Sequence, residues 1–371
     1  MPGIAYSEDG ITDTEIIVGQ SCALEGPAAS LGINMRAGLN AAFGEINASG
    51  GIRGRRIKLI SRNDGYEPIQ AIRATKELVE NDKVFALVGA VGTPTSMAVL
   101  PIVDKNKIPF FGAFTGAEAL RHPVNRYVIN VRASYNEETE ALAEFLIGQK
   151  KKTKIACFYQ NDSYGRAGLN GIRLALSNRQ MELVETASYE RNTTAVKSAL
   201  IKIRRAAPDA IVMIGAYKPC SEFIKTAKQL GMDGVTFCNI SFVGAKALAN
   251  ELKDAGDGVI ISQVVQSPED ATSPVVQAYR AAMAAHQPGA EPDFISLEGY
   301  IVGRLFCEVI KRMTGPVTRE GFIDAIHSAG TYAVDSIQLS FSTTDHQGSD
   351  WVFLTVIENQ KIVAVVKEND E

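Results

Sequence analysis

The chain has 371 residues, 46% of them hydrophobic, and this length exceeds the size at which one core usually divides, so we expect two domains. A formal net charge of −4 gives no reason to expect nucleic acid or an anionic membrane as a partner. No apolar run approaches the roughly 20 residues of a membrane span, so we expect no insertion into a membrane.

Strand and helix patterns alternate along the first third of the chain. The strand-like runs are residues 15–19, 57–61, 84–88, 108–111 and 127–131. Apolar residues at helical spacing lie between them, and Pro68 opens one of these helices. Because strands that alternate with helices pair in parallel, we predict a parallel sheet in this part of the chain.

The same alternation restarts after a helix predicted over residues 137–149. The second series of strand-like runs is 155–159, 183–189, 210–214, 235–240 and 259–265. Helical segments follow at 275–285, 297–313 and 319–328. The tail alternates like antiparallel strands from residue 337 to residue 366, with the clearest runs at 351–357 and 361–366.

Helices and strands therefore remain after the second sheet is complete, and the simplest solution returns the chain to the first lobe and then to the second. We predict an α/β fold of two doubly wound parallel-sheet lobes joined by several crossover segments. Lobe one is predicted to comprise residues 13–133 plus 267–341. Lobe two is predicted to comprise residues 134–266 plus 342–371.

Sequence signatures of catalysis are absent: the chain has no G-x-S-x-G elbow, no P-loop and no HExxH. The glycines after the first strand do not spell GxGxxG. The four histidines lack metal-ligand spacing. Of the five scattered cysteines, Cys22, Cys157 and Cys238 lie within or at the ends of strand-like runs and are interpreted as plain buried thiols, although a single disulfide would be compatible with the number of cysteines. We therefore expect no enzyme, no catalytic residues, no metal and no cofactor.

A rim rich in hydroxyl groups follows the third and fourth strands. Thr93, Thr95 and Ser96 come after the third strand, and Thr115 and Gly116 come after the fourth. Ligands of open α/β sheets bind at the carboxyl ends of strands, and hydroxyls with backbone N–H groups at helix N-termini suit a carboxylate. The alternative is that Thr93, Thr95 and Ser96 only cap their helix.

Two tyrosines follow strands of the second sheet. Tyr164 and Tyr217 could each lay an aromatic wall against a ligand in a cleft between the sheets. The alternative is that both are packed surface tyrosines. Asp64 and Asp162 also lie at strand ends, where Asx turns and helix caps are the more common roles.

Several segments together resemble the type I periplasmic binding protein fold and, within it, the branched-chain amino-acid (leucine/isoleucine/valine) binding family of ABC importers. These segments are Gly26-Pro27, the glycine-rich stretch of residues 47–54, Asp64-Gly65-Tyr66-Glu67-Pro68, Val88-Gly89 and Asn161-Asp162-Ser163-Tyr164-Gly165. The resemblance extends from residue 16 to about residue 366. It implies a binding protein whose two lobes close over a ligand.

The resemblance also implies roles for individual residues. Thr93, Ala113 and Thr115 match the positions that hold the ligand carboxylate. Tyr164 and Tyr217 match the tyrosines that close over the ligand from lobe two.

Two positions depart from the family pattern. Ser241 stands where amino-acid binders often carry a glutamate that pairs with the α-ammonium, and a buried ammonium without an anion is costly. Either another acid such as Glu25 or Asp162 serves the ammonium, or the ligand is a different small carboxylate or amide. Tyr66 stands where a cysteine of the family's early disulfide would be expected.

The resemblance predicts an extracytoplasmic solute-binding protein of an ABC importer. Its ligand is expected to be a small carboxylate such as a branched-chain or other hydrophobic amino acid, and its partners the ABC permease subunits. We expect a monomer in the periplasm or outside the cytoplasm. Met1 to Gly10 lack the basic and apolar regions of a signal peptide, which is compatible either with a mature form that carries an added Met1 or with a cytoplasmic protein. The alternatives are a ligand-sensing regulator or receptor domain of the same fold that binds a small amide or aromatic acid, and an enzyme of doubly wound α/β class.

Overall fold

The computed structural model describes residues 8–365. Residues 1–7, which belong to the segment judged for a signal peptide, and residues 366–371, which end the predicted last strand and lobe two, lie outside the described part. The strands are β1 (Glu15–Cys22), β2 (Arg56–Asn63), β3 (Ala86–Val88), β4 (Phe110–Phe111), β5 (Val128–Ile129), β6 (Ile155–Gln160), β7 (Glu185–Tyr189), β8 (Ala210–Ile214), β9 (Thr236–Asn239), β10 (Ile260–Gln263), β11 (Thr331–Val334), β12 (Ile337–Ser340), β13 (Phe353–Glu358) and β14 (Lys361–Ala364). The helices are α1 (Ala29–Ala48), α2 (Pro68–Glu80), α3 (Thr93–Asn106), α4 (Tyr135–Glu144), α5 (Ser163–Ser177), α6 (Lys197–Arg205), α7 (Tyr217–Gln229), α8 (Ala245–Leu252), α9 (Pro274–His286), α10 (Phe294–Arg312) and α11 (Arg319–Ala329).

The first sheet has five strands in the order β2-β1-β3-β4-β5, and every neighbouring pair is parallel. This confirms the parallel sheet predicted from the sequence. Strands β3 and β4 are neighbours, and an isolated parallel bridge between Val91 and Phe114 continues their pairing past the strand ends. The residues that follow these two strands therefore lie side by side at one edge of the sheet.

The second sheet has seven strands in the order β14-β13-β10-β9-β8-β6-β7. Its last two strands in the chain, β13 and β14, are antiparallel, as the alternating tail predicted. Strands β11 and β12 form a separate antiparallel hairpin. The sequence predicted only the second of these two strands, β12. Residues of β11 alternate between exposed and buried over four positions, which is too short a run to stand out after α11.

After β10 the chain returns to the first sheet, because α9 and α10 both pack against α1. A Cβ atom at Gly38 of α1 would lie 1.9 Å from the carbonyl oxygen of Ser296, so glycine is required at the contact with α10. The chain then rejoins the second sheet at β13. We call each sheet with its packed helices lobe one and lobe two; the exact boundaries of the lobes stay a prediction.

All five cysteines are buried and free, which confirms the interpretation of Cys22, Cys157 and Cys238 as plain thiols. Burial raises the pKa of each thiol, because the thiolate would lose its hydration.

Within residues 8–365, none of the helices combines the length and apolar character that crossing a membrane requires.

Two helix caps place aromatic residues at the boundary between the lobes. The side chain of Ser134 accepts from the backbone N–H of Glu137, whose own side chain bonds back, so a capping box starts α4 at Tyr135. The carboxylate of Asp162 accepts from the backbone N–H of Tyr164 and so caps α5. Tyr135 and Tyr164 are thereby held at helix N-termini that face the first sheet's carboxyl edge.

Candidate functional site

The predicted hydroxyl rim exists as a buried pair of threonines. The Oγ1 atoms of Thr93 and Thr115 lie 2.7 Å apart, and both residues are almost fully buried. Thr93 begins α3, and Thr115 follows β4. The structure therefore brings together two hydroxyls that are 22 residues apart in the sequence, next to the N-terminus of a helix of 14 residues.

The alternative role of Thr93, Thr95 and Ser96 as helix caps is wrong. The N-cap of α3 is Gly92, at a φ of 99°, and no side chain caps the helix. The Thr95 hydroxyl instead donates to the carbonyl oxygen of Val91 at 2.5 Å. The buried hydroxyl of Ser96 has no hydrogen-bond partner in the described part of the chain. The hydroxyl of Thr95 is thus engaged by the backbone at the start of the helix, whereas those of Thr93 and Ser96 are not.

Ala113, the third predicted residue of lobe one, is buried beneath the rim. Its methyl group belongs to an apolar core formed with Leu87, Ala90 and Val99. The predicted contact of Ala113 with a ligand would therefore involve its backbone and not its side chain.

Five buried rings from both lobes meet next to the threonine pair. We call them the aromatic cluster: Tyr66, Phe114, Tyr135, Tyr164 and Phe242. The ring of Phe242 lies 5.3 Å from Phe114, 5.9 Å from Tyr66 and 4.4 Å from Tyr164, measured between centroids. The rings of Tyr135 and Tyr164 are 5.6 Å apart. Of the five, the sequence singled out only Tyr164 as a binding residue.

Tyr66 enters the aromatic cluster because of an unusual backbone. It adopts a positive φ of 61°, and its ring lies against Gly92, where a Cβ atom would come within 2.2 Å of the ring. The position where the family resemblance implies a cysteine of a disulfide is therefore occupied by a tyrosine whose ring lies in the cleft. Its hydroxyl accepts a hydrogen bond from Gln160 of lobe two at 3.2 Å.

Tyr217 is buried at the start of α7, and its phenol interacts with the backbone of Ser30 at the start of α1. Burial raises the pKa of its hydroxyl. Tyr217 thus lies near the start of α1 rather than at the threonine pair, and its contact with a ligand stays a prediction.

A buried charge cluster adjoins the rings and consists of Arg132, Glu138, Ser241 and Glu298. The guanidinium of Arg132 donates to Glu138 at 2.8 Å, approaches Glu298 at 3.5 Å and contacts the Ser241 hydroxyl. It also lies 5.0 Å from the ring centroid of Phe114. All three charged side chains are at most 4% exposed. One cation therefore faces two carboxylates that come from α4 and α10.

The acid beside Ser241 is Glu138, not one of the two acids named from the sequence. Its carboxylate accepts from the Ser241 backbone N–H at 2.7 Å and from the Ser241 and Ser262 hydroxyls at 2.9 and 2.6 Å. With Arg132 as the fourth donor, its lone pairs are filled. Glu25 is exposed. Asp162 is committed to its helix cap and to the guanidinium of Arg191.

Glu298 is the less well paired carboxylate of the charge cluster. Burial raises the pKa of Glu298 from 4.5 to about 7, although Arg132 opposes the shift. The folded protein therefore binds this proton more tightly than the unfolded chain does. As a result, the free energy of unfolding loses a contribution as pH rises from the unfolded pKa through about 7.

In Glu298→Gln we expect the free energy of unfolding to lose less with rising pH than in wild type, because glutamine does not titrate. Urea unfolding at about pH 5 and about pH 8 measures the difference between the two pH values. Glu222→Gln, at an exposed position of α7, is the control and should keep the pH dependence of the wild type. The same pH dependence in Glu298→Gln and wild type would contradict the assignment.

A polar clasp also joins the lobes and consists of Glu67, Asp162, Arg191 and Asn192. Arg191, after β7, donates to Glu67 of lobe one at 2.8 Å and to Asp162 of lobe two at 3.0 Å. Asn192 donates to Glu67 at 2.7 Å and to the carbonyl oxygen of Gly65 at 3.1 Å. Contacts across the cleft thus involve hydrogen bonds as well as rings.

We expect Arg191→Ala to shift the protein toward arrangements in which the lobes are farther apart. The ion pair is partly exposed, so the effect should be on the order of 1 kcal/mol. Small-angle scattering without added ligand should give a larger radius of gyration than wild type. Arg179→Ala is the matched control, because Arg179 pairs with Glu140 within lobe two. Equal radii for Arg191→Ala and Arg179→Ala would refute the role of the clasp.

Comparison with known proteins places this architecture among binding proteins. The sequence model of the periplasmic binding protein family matches residues 15–361. The Leu/Ile/Val-binding protein homolog 7 of Brucella abortus (strain 2308) is 26% identical over 227 residues. That match covers 58% of this chain and 56% of the Brucella protein, so it spans little more than half of this relative.

Solved structures extend the similarity over almost the whole chain. A possible leucine/isoleucine/valine-binding protein from Rhodopirellula baltica SH 1 is 38% identical, with a TM-score of 0.91 and 98% coverage of both chains. A leucine binding protein from Thermotoga maritima MSB8 has a TM-score of 0.85 at 18% identity, covering 95% of this chain and 98% of that one. The second similarity supports the fold alone.

Proposed function

The chain belongs to the type I periplasmic binding protein family, in its branched-chain amino-acid binding branch, and we propose that it is the extracytoplasmic solute-binding protein of an ABC importer. In this proposal it captures a small carboxylate by closure of the cleft, and its ligand is a branched-chain or another hydrophobic amino acid or a related acid. The observation that carries the proposal is the buried pair of hydroxyls of Thr93 and Thr115 beside the aromatic cluster.

The threonine pair suits a carboxylate for a chemical reason. Each hydroxyl can turn its hydrogen from its neighbour toward an anion, and α3 begins at Thr93 with its positive dipole end. The free hydroxyl of Ser96 lies in the same first turn. Hydrogen bonds to a charged group are stronger than those between neutral groups. They are stronger still in a buried site, because the local dielectric constant is lower there than in water.

The aromatic cluster suits the apolar part of such a ligand, because its rings come from both lobes. Phe114 and Tyr66 lie on lobe one, whereas Tyr164 and Phe242 lie on lobe two. A ligand between them would gain contacts with both lobes only when the lobes are together. That difference in contacts is what drives closure in this proposal.

An α-ammonium is expected to contribute little to binding. Glu138 already accepts four hydrogen bonds, and the pKa of Glu298 is raised to about 7 by burial, so neither offers a free, fully charged carboxylate. The carboxylate and the apolar side chain are therefore the proposed determinants of binding.

A thermal-shift screen tests the proposal. It compares leucine, valine and phenylalanine with their 2-oxo acids and their primary amides, because a ligand of the folded state raises the melting temperature by mass action. We expect at least one amino acid and its 2-oxo acid to shift the melting temperature comparably, and the amides to have a smaller effect. A response to amides alone would favour the sensing alternative, and a response to free amino acids alone would show that the ammonium is required.

The transport role rests on the family and has its own test. A strain that lacks this chain should lose uptake of the radiolabelled ligand found in the screen, and expression of the chain in trans should restore it. If uptake is unchanged but a transcriptional response to the same ligand disappears, the chain is a sensor rather than an importer component.

A further inference from the structure

One ring of the aromatic cluster reaches across the cleft from lobe two. Phe242 lies in the short 3-10 turn Ser241–Val243 between β9 and α8, and it is fully buried. Its ring stacks on Phe114 at an interplanar angle of 28° and also contacts Tyr66. It therefore fills space between lobe-one side chains that flank the threonine pair.

The backbone on the N-terminal side of Phe242 is held firmly. Ser241 donates its backbone N–H to Glu138 at 2.7 Å, and its hydroxyl contacts both Glu138 and Arg132. These bonds are buried, so breaking them would leave unpaired charged groups. The turn cannot withdraw from the cleft without that loss.

The C-terminal side of Phe242 is held by packing. Gly244 has a φ of 78°, and a Cβ atom there would lie 2.8 Å from Leu31 and 3.3 Å from Ile295, both in lobe one. The turn therefore fits closely against α1 and α10. With both flanks fixed, the ring of Phe242 behaves as a wall of the site and not as a loose side chain.

We propose that Phe242 sets the upper size limit of the ligand's side chain, so that the site prefers short aliphatic acids to acids that carry an aromatic ring. The inference rests on the proposed function, which it deepens by naming the substrate class. Packed interiors do not accommodate an added ring without displacing side chains, whereas an apolar cavity of about 150 Å³ can admit benzene. Removing the Phe242 ring would open a cavity of that kind beside the threonine pair.

The test measures the ratio of dissociation constants for an aliphatic and an aromatic acid in each variant. The probes are leucine with phenylalanine and, so that the amino group does not matter, 4-methyl-2-oxopentanoate with phenylpyruvate. Titration calorimetry is run on wild type, Phe242→Ala and Phe242→Leu. The control is Phe223→Leu, which alters a buried ring of lobe two that packs on Phe158, outside the aromatic cluster.

We expect wild type to bind the aliphatic acid more tightly and Phe242→Ala to shift the ratio at least tenfold toward the aromatic acid. Phe242→Leu should shift the ratio in the same direction by less, which keeps the test valid if the alanine variant does not fold. Phe223→Leu should leave the ratio unchanged. A wild type that binds with the opposite preference, or an unchanged ratio in the Phe242 variants, overturns the inference alone. A wild type that binds no acid of the panel overturns the proposed function together with it.

Discussion

Replacement of Arg132 by methionine is expected to lower the free energy of unfolding by about 3–5 kcal/mol, the usual cost of breaking a buried ion pair from one side. Arg132 is the cation that pairs with both Glu138 and Glu298, and its loss leaves two buried carboxylates without the guanidinium that lies between them. Methionine keeps much of the length and apolar volume of the arginine stem, so the loss reports charge more than packing. Urea unfolding measures the effect.

Two further variants separate the charge effect from other causes. Arg179→Met removes a partly exposed ion pair with Glu140 and should cost less than about 1 kcal/mol. The triple variant Arg132→Met, Glu138→Gln, Glu298→Gln removes all three charges and should recover a large part of the loss, because replacing a whole buried cluster is often close to neutral. An Arg132→Met variant as stable as Arg179→Met would show that the two carboxylates are not buried as described.

The second large effect is expected on binding. Thr93→Val or Thr115→Val should weaken binding of the strongest carboxylate from the thermal-shift screen by on the order of 1.5–3 kcal/mol, the value of a hydrogen bond to a charged group. Valine keeps the shape of threonine and removes only the hydroxyl. The remaining threonine also loses its partner at 2.7 Å, so a smaller loss of stability should accompany the loss of affinity.

Titration calorimetry compares these variants with Thr226→Val, a substitution on α7 away from the threonine pair. Thr226→Val should bind like wild type. Because two hydroxyls of one site share a ligand, the double variant is not expected to show the sum of the two single losses. Wild-type affinity in both single variants would remove the threonine pair from the proposed site.

The sequence was sufficient to predict the features that depend on local pattern. Alternating strands and helices predicted both sheets, and the helices left over after β10 predicted the return to the first sheet. The closeness of Thr93 and Thr115 followed from two neighbouring parallel strands, whose carboxyl ends meet at one edge. Tyr164 was singled out because it follows a strand of the second sheet, and the structure places its ring in the aromatic cluster.

The charge cluster could not be predicted, because its members come from distant parts of the chain. Arg132 and Glu138 lie between β5 and the first turns of α4, whereas Glu298 is 166 residues from Arg132 and lies on α10. The periodicity of the sequence predicts that Glu298 lies on a helix. It does not show that the Glu298 carboxylate is buried against an arginine. A buried charge is visible only when the packing of three elements is known.

Tyr66 and Phe242 were missed as cleft residues for a different reason. Tyr66 takes a left-handed backbone conformation, which is uncommon for a residue with a side chain, and its ring occupies space that a side chain at Gly92 would fill. Phe242 lies directly beside Ser241 in a short 3-10 turn. Its position depends on the bonds of Ser241 to Glu138, which again join parts of the chain that are far apart in sequence.

A crystal structure of the complex with the strongest carboxylate from the screen tests the central claim most directly. The account predicts one ligand between the lobes, with a carboxylate oxygen within about 2.5–3.0 Å of the hydroxyl oxygens of Thr93 and Thr115. Its apolar part should contact Phe114, Tyr164 and Phe242. A carboxylate bound away from both hydroxyls, or a ligand outside the cleft, would contradict the account.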